Sequence, residues 1–225
     1  PLPDWAEPAT WDDEPAAHGA RTGKQLYGGD LDGVIEHLDH IADLGVTTVY
    51  LTPIFPGRSA HRYDASTFDH VDPLLGGDDA LARLSEALHS RGMRIMGDIT
   101  TNHTGAGHEW FHRARTDESC AERDFYYWID GGPGYASWLG HSNLPKLNFA
   151  SPELGPRLID GPRSVIGRWL QAPWSLDGWR VDVANMTGRY AAEDHNEDVG
   201  RRLRATLAEV NQDAALISEH FHDAR

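Results

Sequence analysis

The chain has 225 residues, 40% of them hydrophobic, and carries a formal charge of −15. That length suits one or two globular domains, and no apolar run nears the roughly 18 residues a spanning helix needs, so no membrane partner is expected. The acidic balance excludes a phosphate-binding surface, which needs clustered Lys and Arg to displace counterions; no nucleic acid is expected, and a neutral or cationic partner fits better.

Cys120 is the single cysteine and cannot form an internal disulfide, which points to a reducing, cytoplasmic setting. The sequence opens on Pro1 with no basic and apolar leader behind it, so no signal peptide is read in these residues.

Residues 1–29 are rich in proline and acid and lack any helical or strand period, so they read as an irregular lead-in. From Leu31 the apolar residues Val34, Ile35, Leu38 and Ile41 follow at helical spacing, with Asp30 as N-cap and Gly45 as stop. The β-branched and aromatic run Val46 to Ile54 predicts a strand buried on both faces. The order then recurs. A helix is predicted from about Asp78 to Ser90, with Leu81, Leu84 and Leu88 inward, then a strand from Arg94 to Asp98. A third helix is predicted from Ser151, with Pro152 at its first position and Pro162 as a possible kink. A strand from Gly178 to Val183, a helix from about Asp198 to Val210 and a strand from Ala215 to Glu219 complete the series.

Buried strands alternating with helices imply parallel βαβ units, in either a doubly wound sheet or a (β/α)8 barrel. Between the second and third strands, residues 104–150 are too long for an ordinary loop and rich in Gly, His and aromatics, so they read as an inserted subdomain. Without them the chain falls short of the roughly 200–250 residues that eight βα units usually take.

Ligands of parallel α/β folds bind where strands hand over to loops at their C-terminal ends, and those ends are acidic here. The second strand ends in Asp98, the third holds Arg180 and Asp182, and the fourth closes on Glu219. Arg180 and Asp182 are two apart on one strand and so share a face. A guanidinium beside a carboxylate is expected to lower its pKa and keep it ionised, as a nucleophile requires. Glu219 on the next strand is the partner acid. Two such carboxyls about 5 to 5.5 Å apart would retain anomeric configuration in glycoside cleavage.

These segments resemble a known family. Asp98-Ile99-Thr100-Thr101-Asn102-His103, Gly178-Trp179-Arg180-Val181-Asp182 and the Glu219 segment are similar, in order, to the first three conserved regions of the alpha-amylase family, glycoside hydrolase family 13. The resemblance implies a (β/α)8 TIM barrel with an inserted domain B after its third strand, incomplete in this chain, whose strands would correspond to about the second to fifth. Residues 1–103 and 151–225 would be barrel and 104–150 domain B. The first strand would precede Pro1, the sixth to eighth would follow Arg225, and the third acid, in an Asn-His-Asp motif, is not among these residues.

By the same resemblance Asp182 would be the nucleophile and Glu219 the general acid/base, with Arg180 positioning the nucleophile. Tyr63 and His103 would contact the glucose unit being cleaved, while Asp98 and Asn102 would brace the site. No cofactor is required, although Asn102 would lie near a family calcium site, so a structural calcium is possible. Leu144-Pro145-Lys146-Leu147-Asn148 is similar to the Met-Pro-Lys-Leu-Asn signature of the neopullulanase and cyclomaltodextrinase group. Asp182-Val183-Ala184-Asn185 also resembles that group and adds Asn185 to the substrate-binding set, but Met186 stands where glutamate is common. The implied substrate is an alpha-glucan, a maltooligosaccharide or a cyclodextrin, acted on by a parent protein that could form homo-oligomers.

In the insertion, Trp110, Phe111, Phe125, Tyr126, Tyr127, Trp128, Tyr135 and Trp138 could stack on glucan rings, but most are expected in the subdomain's core, since a small unit without disulfides needs large apolar side chains. Two other functions compete. His108-Glu109-Trp110-Phe111-His112 matches the H-E-x-x-H pattern of zinc peptidases, which needs a helix carrying both histidines and a third ligand, with Glu118 or Glu122 on offer. A non-catalytic carbohydrate-binding relative would keep the fold, but such proteins usually lose the carboxylates retained here; an inactive fragment is the other alternative, activity being expected of the full-length parent rather than of this segment alone.

Overall fold

A computed structural model describes residues 2–19, 21–129 and 134–221. Its centre is a four-stranded parallel sheet in sequence order: β1 (Thr48–Tyr50), β2 (Arg94–Thr100), β3 (Gly178–Asp182) and β4 (Ala215–Ser218). The strands do not close into a barrel; β1 and β4 are the sheet edges. The two middle strands are buried along almost their whole length, because each has a neighbour on either side. The edge strands are not. Tyr50 is 44% exposed and Ile217 is 52% exposed, so the strand expected to be buried on both faces is a short, half-covered edge.

The described residues form seven α-helices. The first predicted helix is split into α1 (Leu31–Glu36) and α2 (Leu38–Asp43). Asp30 caps α1 by accepting from Gly33 N, as expected, but the His37 ring bonds the Gly33 carbonyl at 2.9 Å and its backbone leaves helical geometry. α3 (Gly77–His89) buries Leu81, Leu84 and Leu88 completely, each contributing about 1.5–3 kcal/mol relative to exposure. Phe55 packs against Phe68, Trp169 and Trp179 at ring separations of 5.5, 5.4 and 6.5 Å, joining the sheet to the helices behind it.

α4 (Glu109–Thr116) lies in the long segment between β2 and β3. The predicted helix from Ser151 is two short helices, α5 (Leu154–Leu158) and α6 (Val165–Trp169), and Pro152 precedes rather than starts the first. Gly161 at φ 73° and Pro162 cannot continue a helix between them, and Thr206 on α7 (Asn196–Val210) fastens the break by donating to Ile159 O and accepting from Gly161 N. In the lead-in, Glu7–Pro8 pairs in parallel with Gln25–Leu26, a small order the composition did not suggest.

Within residues 104–150, α4 is followed by 3-10 turns and by isolated antiparallel bridges, among them His103 with Lys146 and Tyr126 with Leu147. Phe111 contacts the rings of Tyr126 and Tyr135 at 4.8 Å each, and Trp110 meets Phe125 at 5.5 Å. These five aromatics are buried, as expected of a subdomain core. Tyr127, Trp128 and Trp138 are only half-buried.

Candidate active site

The parallel register places the chemistry. Asp98 on β2 is opposite Arg180 on β3, and Thr100 is opposite Asp182, so their side chains share one face at the strands' C-terminal ends. β4 continues its ladder through Glu219 N, which donates to Val181 O at 3.0 Å. Glu219 therefore arrives beside Asp182.

Arg180 is the hub of the cluster. Its Nη1 donates to Asp182 Oδ1 at 2.8 Å and to Asp98 Oδ2 at 3.1 Å, while Nη2 lies 2.9 Å from Glu219 Oε2. Three carboxyl groups thus share one guanidinium. Asp98 is fully buried and also accepts from the hydroxyls of Tyr63, at 2.9 Å, and Tyr50. Tyr50 was not singled out by sequence, because its role depends on β1 lying beside β2. Burial drives both phenols up, Tyr50 to about 12, so both remain neutral donors. Tyr63 also lies with its ring 5.8 Å from the Arg180 guanidinium carbon.

The expected effect of Arg180 on Asp182 is outweighed. Burial pushes the Asp182 carboxyl up to about 6; Arg180 pulls it down, and the charges of Asp98 and Glu219 push it up again. The guanidinium limits the rise rather than producing a fall. At pH 7 the carboxylate form still prevails, about ten to one. After Asp182 the chain turns sharply: Val183 takes φ 39°, ψ 44°, a left-handed conformation that is a true outlier for a β-branched residue. That turn aims Val183 N at Glu219 Oε2, 2.7 Å away. Asp182 and Glu219 open onto a cleft of about 790 Å³ whose walls include Tyr63, His103, Trp138 and Phe221.

A family model of the alpha amylase catalytic domain matches residues 8–224. The chain belongs to the alpha-amylase family. A cyclomaltodextrinase of Geobacillus thermopakistaniensis is 32% identical over 247 aligned residues, covering 99% of this chain and 40% of the relative. The intracellular maltogenic amylase of Bacillus subtilis is 34% identical over 204 residues, covering 88% of this chain and 32% of the relative. Among solved structures, the ligand-free cyclic alpha-maltosyl-(1→6)-maltose hydrolase of Arthrobacter globiformis has a TM-score of 0.82 at 29% identity, covering 98% of this chain and 47% of that one. The chain thus spans two fifths or less of the length of these curated relatives, and its four open-edged strands are part of the family's (β/α)8 barrel.

In this alpha-amylase-family chain, Asn102 and His103, just after β2, belong to a hydrogen-bond chain that also takes in Lys146. Lys146 Nζ donates to Asn102 Oδ1 at 2.5 Å and to Met186 O at 3.0 Å. With its oxygen so engaged, Asn102 turns Nδ2 to His103 Nδ1 at 3.1 Å, which leaves the proton on Nε2 to be donated to Tyr63 O at 3.2 Å. Burial lowers His103 to about 4, so the ring is neutral, and both nitrogens are engaged by protein. Calcium fits poorly here: the oxygens of Asn102 and Met186 are taken by a buried ammonium, and no group of three or more His, Cys, Asp or Glu among the described residues could hold a metal ion. The Pro145-Lys146-Leu147 signature pointed to a subgroup but gave no sign of this contact, which spans 44 residues of sequence.

Asn185 does not face the large cleft. It is buried in the turn after β3 and lines a separate pocket of about 130 Å³ that also touches Glu219. The H-E-x-x-H stretch does form a helix, but not a ligand pair. His108 is a buried N-cap whose Nδ1 accepts from Trp110 N and whose ring packs on Phe68 and Trp110, whereas His112 is exposed. Of the two offered third ligands, Glu122 is bound by Arg113 and Arg157, and Glu118 by Arg123.

Proposed function

We propose that the protein carrying this chain is a retaining α-glycosidase acting on maltooligosaccharides, cyclodextrins or related alpha-glucans. The observation that carries the reading is the shared guanidinium: Asp182 and Glu219 each bind a different nitrogen of Arg180, at 2.8 and 2.9 Å. This supports the compact carboxyl pair, about 5 to 5.5 Å apart, that a covalent intermediate requires. The names of the relatives support the substrate class.

In the first step Asp182 Oδ attacks the anomeric carbon as Glu219 gives its proton to the departing glycosidic oxygen. The C–O bond breaks and a glycosyl ester of Asp182 forms. In the second, Glu219 takes a proton from water, whose oxygen displaces Asp182 and restores the original configuration. Arg180 stays protonated throughout and holds both carboxyl groups in register. Asp98 acts through Arg180, gripped by Tyr50 and Tyr63. The third family acid is not among these 225 residues, so the proposal applies to a protein that supplies it.

The Lys146 ammonium supports independence from calcium at Asn102. The intracellular relative and the lone cysteine support a cytoplasmic location. Proton NMR of maltoheptaose cleavage tests the central reading: the first product signal should be the α-anomer, and Asp182→Asn should abolish it. A β-anomer, or glucan binding without turnover, would contradict the proposal.

A further inference from the structure

Residues 138–141 form a tight turn at the rim of the cleft. Trp138 is held from three directions: its ring lies 5.9 Å from that of His103 and 5.6 Å from that of His141, and its Nε1 donates to Met186 Sδ at 3.2 Å. On this fixed base, Leu139 takes φ 48°, ψ 29°, and Gly140 follows at φ 83°. The second of these is a conformation glycine adopts freely. For leucine it is strained.

Leu139 is also 63% exposed, and it lines the cleft with Asp182 and Glu219. Folding thus leaves a large apolar side chain in water on an unfavourable backbone, and neither burial nor conformation compensates. Arg62, Ser175, Val183 and Ala191 are the other non-glycine residues at positive φ among the described residues; of these Val183 alone lines the cleft, and it is buried. Strain at a ligand-facing position persists where the surroundings impose it and function uses it. A glucose ring presents a face of C–H groups, which an exposed branched alkyl group can cover.

We propose that Leu139 is a specificity-determining residue, whose side chain packs on the C–H face of a glucose unit beyond the two that flank the cleaved bond and so favours glucans long enough to reach it. The proposal deepens the alpha-glucan reading and rests on it. Phe221, 47% exposed on the chain after Glu219, lines the same cleft and keeps it apolar at that wall.

The test compares the wild-type protein with Leu139→Ala, Leu139→Gly and, as a control away from the cleft, Leu44→Ala. Calorimetric binding of maltoheptaose and of maltose is measured alongside thermal midpoints. Both Leu139 variants should bind maltoheptaose about five- to tenfold more weakly, with less than twofold change for maltose. Only the glycine variant should also gain about 2–4 °C, since it alone removes the strain. The proposal is overturned if either variant holds maltoheptaose within twofold of wild type, if maltose weakens equally, or if the glycine variant melts lower. Binding of maltoheptaose that follows this pattern without hydrolysis would sink the glycosidase reading while sustaining the contact. Absence of binding by the wild type would end both.

Discussion

The floor of the cleft and its wall are built in different ways. The floor, where β2, β3 and β4 end, is fixed by backbone register: strand pairing sets Asp98 opposite Arg180 and brings Glu219 beside Asp182. The wall, from residues 104–150, has among its described residues only isolated bridges rather than a sheet, and relies on side chains that reach across it, such as Lys146 to Asn102 and Trp138 to Met186. A register changes only by whole residues, whereas a side-chain tie is lost with one substitution. The floor therefore suits chemistry that tolerates little displacement, and the wall suits recognition that differs between relatives of the same fold.

The comparison predicts effects that fall from floor to wall. Asp182→Asn should lower kcat by about 10⁴-fold or more, as loss of a covalent nucleophile does, without unfolding the protein. Its stability should instead hold or rise. The folded-state pKa of about 6 lies above the ordinary carboxylate value of 3.8, so the favourable contribution of Asp182 is present below pH 4 and lost as pH rises through 6. At pH 7 its ionisation opposes folding by roughly 3 kcal/mol. Urea titrations of both forms at pH 7 check this, and a clear loss of stability in the variant would count against it.

Arg180→Met should cost about 3–5 kcal/mol in the same titration, because it strands the carboxylates that share the guanidinium. A cost below 1 kcal/mol would mean that Arg180 is not the hub. In the wall, Lys146→Met leaves Asn102 Oδ1 and Met186 O without their donor and should cost about 1–3 kcal/mol. A calcium titration followed by thermal shift should show no stabilisation of wild type; a saturable rise would mean that a metal competes for Asn102. The smallest effect is on pH dependence: kcat/KM should fall below about pH 6 as Asp182 takes up its proton. An acid limb near pH 4 would show that Arg180 outweighs burial after all.

What the sequence made legible follows the same division. Arg180 and Asp182, two residues apart, had to share a face, and Asp98 and Glu219 at neighbouring strand ends had to approach them. Helix α3 was legible from Leu81, Leu84 and Leu88. Tyr50 was not, because its bond to Asp98 spans 48 residues and depends on which strand lies beside β2. The sign of the Asp182 shift was misjudged because the partner charge is visible in sequence while the depth of burial is not. The resemblance alone places Asn185 with the substrate-binding residues, whereas after the left-handed turn at Val183 it lines the smaller pocket that also touches Glu219. At residues 151–169 the kink legible from Pro162 is, with Gly161 beside it, a full break between two short helices.

The claim that joins these observations is that Asp182, poised on Arg180, forms the covalent bond. Incubating the protein with a fluorinated glucosyl substrate that slows release of the intermediate, followed by proteolysis and mass spectrometry of the labelled peptide, tests it directly. The account predicts one sugar on the peptide spanning Gly178–Asp182, ester-linked to Asp182. A label on Glu219 or Asp98, or no label while substrate is turned over, would contradict it.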